Sequence, residues 1–300
     1  MKKVFHMQIG VTSDRGKKRE LDEDSLAIVQ TQMVYESQKK EVTLLLVADG
    51  MGGHNAGEVA SRKTVEYLVS SIIPVLVRES ERDVCAVIQS AIEAANTSLL
   101  EVVQKHTDYQ DMGTTVTCAV IVDSQVYIGH VGDSRAYIVN TTSPSLSTST
   151  STSTSTTSSS IRQITKDHSV IQEMIDRGQL SVEEARRHPQ RHIITRAIGV
   201  HPTLEVDTYT EVLYGEDILL LCCDGLTDML TNQEIVSIID EHTHLQTMCD
   251  ALVDGANEKG GLDNISVIAC SFEELPRRNV VLSDETYIKS STSSDSMDGG

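Results

Sequence analysis

An α+β fold is predicted for this chain of 300 residues by three observations. Strand-like and helix-like stretches cluster instead of alternating strictly, which argues against a doubly wound parallel sheet. Continuous apolar runs such as residues 44–48 read as strands buried on both faces. Finally, 39% hydrophobic residues can fill the core of one large domain, placed here over residues 1–274. Aromatic residues are only 3% and Trp is absent, so that core is built from Leu, Ile, Val, Ala and Met.

Taken in order, residues 4–35 read as one or two strands around the charged turn RGKKRELDEDS. The apolar strand at 42–48 ends in Asp49, which opens a glycine-rich turn containing Gly50, Gly52 and Gly53. Such glycines let backbone approach a ligand closely. A helix follows from about Gly57 and is expected to end near Pro74. A second, at 83–106, carries Val84, Val87, Ile88, Ala91, Ile92, Ala95 and Leu99 as one core-facing stripe. Next comes a hairpin, TTVTCAVIV and QVYIGHVGDSRAYIV, with its turn at Asp123-Ser124.

Residues 141–160 are all Ser or Thr except Pro144 and Leu146, and have nothing to bury; a disordered insertion within the domain is expected. Short helices and loops are predicted for 161–200, where Arg162, Lys166, Arg177, Arg186, Arg187, Arg191 and Arg196 face five acids. Strands near 204–213 and 217–223, helices near 232–240 and 244–258, and a strand at 265–272 complete the domain, followed by a disordered polar tail at 275–300.

The formal charge of -19 argues against general nucleic-acid binding and suits a protein that holds multivalent cations. Six cysteines form no C-x-x-C pair, and Cys118, Cys222, Cys223 and Cys270 lie in apolar runs, so a reducing, cytoplasmic setting is expected. The start, MKKVFHMQIG, makes a poor signal peptide, and no apolar run reaches the length of a membrane span. The sequons at Asn96, Asn140 and Asn264 are therefore read as unmodified.

Glu23, Asp24, Asp49, Asp133, Asp224, Asp228 and Asp263 lie beside predicted strands, several of them followed by Gly or Asn. Carboxylates gathered in one place raise each other's pKa unless cations join them. Donors that are all oxygen suit Mg²⁺ or Mn²⁺. Zinc would want His or Cys, and the tight pair His242-Thr-His244 reads as an exposed helix edge. GDSRA lacks the last Gly of a nucleophile elbow, and Ser134 falls in a predicted strand. No G-K-[ST] follows DGMGGHNAG, so this is no P-loop.

In this order, RELDEDS, VADGMGGHNAGEVAS, MGTT, HVGDSRAY, LLCCDGLTD and GLDNISVI resemble the metal-dependent protein phosphatase family, the protein phosphatase 2C class in its bacterial form. The likeness runs from about residue 7 to 272, with a gap at the Ser/Thr run. It implies a four-layer αββα sandwich of two antiparallel sheets flanked by helices, with 161–200 as a flap beside the site. It implies two Mn²⁺ or Mg²⁺ ions per site, with Asp49 bridging both, the Gly50 carbonyl, Asp224 and Asp263 as ligands, and Glu23 serving the second ion directly or through water. Asp24 stands behind Glu23, Arg19 grips the substrate phosphate, and a weaker third ion is expected near Asp133 and Asp228, with His192 as a further candidate.

The activity so implied is hydrolysis of phosphoserine and phosphothreonine in proteins through a water bridged by the two ions, opposing Ser/Thr kinases. The partners are phosphorylated protein substrates, and a monomer is expected. Uncatalysed phosphate-monoester hydrolysis is so slow that enhancements up to about 10²¹ are known, and paired metals with a guanidinium fork offset the charge of the transferring group. The alternative is a catalytically silent phosphatase-fold module acting as a signalling binding partner; the complete ligand set speaks against it. Two departures stand out. Asp22 replaces the Asn usual before the E-D pair, and Met51 stands where animal members place a His, leaving His54 or a metal-bound water as candidate proton donors.

Overall fold

A computed structural model describes residues 7–35, 38–52, 56–78, 83–105, 107–109, 112–141, 159–273 and 275. Two antiparallel sheets stack face to face. In the first, β1 (Met7–Asp14), β11 (Ile265–Phe272), β10 (Asp217–Cys222), β7 (Arg135–Asn140) and β8 (Ser160–Gln163) lie side by side in that order. The second runs β2 (Asp24–Tyr35), β3 (Gln38–Met51), β5 (Val116–Val122), β6 (Gln125–Val131) and β9 (Asp207–Val212), and the short β4 (Gly113–Thr114) pairs with the end of β3.

The helices α1 (Ala56–Arg78) and α2 (Val84–Lys105) cover the second sheet. On the first lie α5 (Asp224–Thr227), α6 (Asn232–Glu241) and α7 (Leu245–Glu258). The flap carries α3 (Val170–Asp176) and α4 (Val182–Ala185). This is the αββα order that the resemblance implied.

Period-2 side-chain alternation explains the continuous apolar runs. On β3, Leu44, Leu46 and Ala48 pack under α1 and α2, while Leu45 and Val47 enter the layer between the sheets. On β10, Leu219 and Leu221 share that middle layer, and Ile218, Leu220 and Cys222 face the helices on the other side. Burying one strand on both faces requires both residue sets to be apolar. The α2 stripe is buried as expected, at Ile88, Ala91, Ile92, Ala95 and Leu99. All six cysteines are free thiols.

Several boundaries differ from expectation. Helix α1 does not stop at Pro74; it continues to Arg78 because Ile72 and Leu76 remain buried and Lys40 Nζ bonds the Leu76 carbonyl at 2.7 Å. The second arm of the predicted hairpin is split. After β6 the chain turns through Gly132 (φ 113°), Asp133 and Ser134 and enters the other sheet as β7, so Ser134 lies outside any strand.

The ends of the expected insertion also belong to the fold. Asn140 pairs with Ser160 across the β7–β8 ladder, and Thr141 N donates to Glu216 O at 2.8 Å. The remainder, 142–158, lies outside the described residues, as does the predicted tail from 276. Leu275 is buried in the layer between the sheets, one residue past the predicted domain boundary. Among the described residues, no helix is long and apolar enough to cross a membrane.

Candidate metal centre and phosphate cleft

Both sheets deliver acids to one end of the sandwich. Asp24 opens β2 and pairs across the ladder with Asp49 on β3. From the other sheet, Asp224 follows β10 and begins α5, and Asp263 precedes β11. Gly50 N bonds Glu23 O at 3.1 Å, and a Cβ on Gly50 would run into Gly57 O and Glu23 O. Gly225 packs α5 against Asn264 O just as closely. These glycines are what let the acid-bearing turns meet.

The turns are locked together by residues whose roles the sequence did not disclose. Asn264, read in a sequon and as the Asn after Asp263, accepts from Glu23 N at 2.9 Å and donates to Arg15 O at 2.9 Å and Leu21 O at 2.8 Å. Asp49 N donates to Thr115 Oγ1 at 3.0 Å, and Thr114 Oγ1 donates to Asp49 O at 2.8 Å. A third is His168, whose ring Nδ1 accepts from Gly132 N at 3.1 Å and whose own N–H donates to Gly132 O at 2.7 Å. Gly132 precedes Asp133, so this flap histidine clamps the turn that carries a site acid. An acceptor at Nδ1 leaves the proton on Nε2, 3.3 Å from Asp207 Oδ2.

The resulting cleft, about 450 Å³, is lined by Arg19, Glu23, Asp49, Gly50, Asp133, Asp224, Asp228 and Asp263, with Met51, Ile194, Met229 and Leu262 supplying apolar wall. Every predicted site residue lines it except Asp24, which lies deeper. Arg19 Nη2 bonds Asp263 Oδ2 at 2.6 Å, and Nη1 stands 3.8 Å from Glu23 Oε2. Ser134 is fully buried and shares a 2.7 Å hydrogen bond with Thr115 Oγ1, which removes it as a nucleophile.

Burial is the first cause of the acid strength here, and like charge the second. Asp24 is pushed up to about 7 by burial, with Asp22 and Asp263 adding to the rise. The polar groups nearest it are engaged elsewhere: the Cys223 thiol faces Asn264 O at 3.2 Å, and the Ser266 hydroxyl pairs with Ser13 at 2.9 Å. Asp133 is likewise raised to about 7 by burial and Asp167, against the pull of Arg135. Asp49 and Asp224 lie well above the usual carboxylate range, again through burial and then their acidic neighbours.

Both oxygens of Asp24 and Oδ1 of Asp224 are buried without a hydrogen-bond partner. Unpartnered buried carboxylate oxygens cost free energy that a hard divalent cation would relieve. The donor set is almost all oxygen, so the residues present fit Mg²⁺ or Mn²⁺. Two groups bring ligand atoms within 4.8 Å of one another: Asp24, Asp49 and Cys223, and His192, Asp224 and Asp228. Among the described residues the pair His242 and His244 forms no such group; His242 Nδ1 sits 2.8 Å from Ile238 O, capping its own helix.

The family model described as Protein phosphatase 2C matches residues 9–265. The chain belongs to that family. It is 34% identical over 256 residues to the serine/threonine phosphatase stp of Listeria innocua, a match covering 85% of this chain and 92% of that protein. The crystal structure of the serine/threonine phosphatase Stp1 from Staphylococcus aureus is similar with a TM-score of 0.73 and 31% identity, over 90% of this chain and 96% of that one. The catalytic domain of the serine threonine protein phosphatase PstP, solved in complex with two manganese ions, is similar with a TM-score of 0.70 and 27% identity, over 90% and 100%. Family membership bears out the resemblance read from the six motifs.

The departures from the family pattern can now be placed. Asp22 turns away from the cleft, accepting from Ser13 Oγ at 2.9 Å and from Asp24 N at 3.2 Å. Its charge therefore acts on Asp24 from behind, as one cause of that group's raised pKa. Met51 lines the cleft, and His54 lies outside the described residues. From the flap, His192 Nδ1 reaches within 3.2 Å of Asp228 Oδ2, and Arg191 Nε within 3.8 Å.

Proposed function

We propose that this phosphatase-family chain hydrolyses phosphoserine and phosphothreonine in proteins, opposing Ser/Thr kinases, with two divalent ions held in the cleft. The observation that carries the reading is the meeting of Arg19 with six cleft-lining carboxylates above the buried, partnerless oxygens of Asp24. Asp49, Asp224 and Asp263 would hold one ion; Asp49, the Gly50 carbonyl and Glu23 the other. Asp133, Asp228 and His192 make a third, weaker position. Bound there, Mn²⁺ or Mg²⁺ supplies Lewis acidity, lowering the pKa of water and setting positive charge against the phosphoryl oxygens.

The chain's own residues do the rest. Arg19 presents a planar fork that can take two phosphoryl oxygens in place of Asp263 and fix the phosphorus for in-line attack. Thr114 and Thr115 pin the backbone of Asp49, so the central carboxylate keeps its aim. Asp24 supports that carboxylate from the dry side. The six unpaired thiols support a reducing cytoplasmic setting. We expect a monomer, with phosphorylated proteins as its partners.

The test is hydrolysis of p-nitrophenyl phosphate and a phosphothreonine peptide with Mn²⁺, with Mg²⁺ and with excess EDTA, beside an Asp49→Asn variant. Metal-dependent turnover that falls by about 10³-fold in the variant is expected, the equivalent of ~4 kcal/mol of lost transition-state stabilisation. Turnover that survives EDTA, or none with either metal, would leave the silent binding module as the better account.

A further inference from the structure

The flap is basic by count, yet most of its cations are already neutralised. Arg162 pairs with Glu211, Lys166 with Asp176, Arg177 with Glu173, and Arg196 with Glu205 and Asp207. In a chain with 44 acidic and 25 basic residues, not every cation has an acidic partner. Lys17, Lys18, Arg186 and Arg187 make no ion pair among the described residues, and all four are exposed.

Their positions are what matter. Lys17 N bonds Gly261 O at 2.8 Å, which seats the Lys17-Lys18 turn against the segment whose Leu262 and Asp263 line the cleft. The next residue, Arg19, is the phosphate-gripping guanidinium itself. On the flap, Arg186 Nη2 donates to Thr227 O at 3.3 Å, one residue before the cleft-lining Asp228, and Arg187 follows it. Lys63 and Arg78, also without an ion pair among the described residues, lie away on α1.

Resting on the hydrolase reading above, we infer that the enzyme selects phosphorylated residues with acidic neighbours, read by Lys17-Lys18 on one part of the rim and Arg186-Arg187 on another. The cleft floor is acidic and repels an anionic peptide unless metals and Arg19 offset it. The two pairs place positive charge next to the segments that line the cleft, with Lys18 freer than Lys17, which shares a surface hollow with Asp14, Asp254 and Glu258. At about 3.3–3.6 Å per extended residue, a long Lys or Arg side chain reaches positions within about four residues of the phosphate. Each exposed pairing contributes about 0.2–1 kcal/mol, so two pairs together give a preference of roughly tenfold, acting through encounter and screened by salt. Such a preference concerns peptide charge only; a small aryl phosphate does not reach the rim.

The experiment compares kcat/KM of the full Mn²⁺-loaded chain for three phosphothreonine peptides with one core and Asp, Ser or Lys flanks. p-Nitrophenyl phosphate serves as control. Expected is roughly tenfold preference for Asp over Ser flanks, fading at about 0.5 M NaCl, where the Debye length is only a few Å. Lys17→Gln with Lys18→Gln, and Arg186→Gln with Arg187→Gln, should each lower the preference about threefold and leave p-nitrophenyl phosphate turnover unchanged. Lys17→Glu with Lys18→Glu should shift the preference toward Lys flanks, which mere loss of a surface side chain would not do. Peptides turned over without charge preference, or with a preference that ignores these substitutions, would overturn the proposal. No turnover of any phosphate would instead bring down the hydrolase reading and this inference with it.

Discussion

At the floor of the cleft, Asp24, Asp49 and Asp224 bring buried carboxylates from two sheets toward one another, two of them with oxygens that have no partner. The flap beside it keeps its shape largely by exposed means, the Lys166–Asp176 and Arg177–Glu173 pairs and the Ser181–Glu184 capping box of α4, with the buried Ser169 capping α3. The floor is held against its own electrostatics by the surrounding packing, and is left poised for cations. The flap is satisfied locally, and each of its exposed pairs is worth little alone. On the proposed reading, chemistry concentrates in the floor, and substrate choice could vary in the flap without disturbing it.

The largest effects should come from the floor. Asp224→Asn would remove a proposed ligand and should cost about 10³-fold in kcat/KM. The same change should raise the melting temperature of the metal-free protein at pH 8, because one buried acid is gone. The pH dependence follows in sign. Asp24, Asp49, Asp133 and Asp224 have raised pKa values in the folded chain, so the native state binds their protons more tightly than the unfolded state. The stability this gives is complete below about pH 4 and is lost as pH rises through the folded values, about 7 for Asp24 and Asp133.

Buried His130, lowered to about 3, and His168, also lowered, pull the opposite way at lower pH, since they charge only on unfolding. From about pH 6.5 upward those histidines are neutral in the folded state and at most half charged in the unfolded one, so the acids dominate the slope. In EDTA, the melting temperature should therefore fall from pH 6.5 to pH 8, while saturating Mn²⁺, which needs the ionised carboxylates, should stabilise more strongly across the same interval. A melting temperature in EDTA that rises over that interval would refute this account of the floor.

How far each region can be read from sequence follows from the same contrast. A metal-holding floor needs acids at strand ends with Gly or Asn beside them, so ADG, CDG and LDN announce themselves and Asp49, Asp224 and Asp263 meet where expected. The contacts that aim those acids carry no such mark. Asn264 works through three backbone contacts from distant loops, and His168 through the backbone of Gly132, contacts that exist only once the two sheets are stacked. Pro74 misled for a related reason: a local helix breaker was outweighed by burial of Leu76. Local rules fail where tertiary packing decides.

His168 joins the two regions and should give an intermediate effect. It bonds Gly132 twice, and its own carbonyl accepts from Thr195 N at 2.7 Å, on the return path of the flap. His168→Ala leaves the Gly132 N–H without its ring acceptor, a loss of about 1–3 kcal/mol. Activity should drop by roughly tenfold, and the Mn²⁺ concentration for half-maximal activity should rise through the loosened Asp133 turn. His168→Asn, which can restore an acceptor near the Nδ1 position, should recover part of both. Equal loss in the two variants with unchanged Mn²⁺ dependence would mean that His168 serves packing alone.

The smallest effect is expected from the Ser/Thr run. Because Asn140 faces Ser160 directly across the ladder, removing 142–158 and joining Thr141 to Ser159 leaves a two-residue connection between paired strands, the length that suits a tight hairpin. Thr141→Asn with Ser159→Gly would supply the turn chemistry such a connection prefers, and the bonds put at risk at that corner are those from Thr141 N and Oγ1 to Glu216 O and from Ser159 Oγ to Asp240. Loop length enters stability only logarithmically, at about 0.6 kcal/mol per doubling. Activity on p-nitrophenyl phosphate should stay within about twofold, and the melting temperature should hold or rise by a few degrees. A tenfold loss of activity would show that the run reaches the cleft floor or the flap, and the division between them would then have to include it.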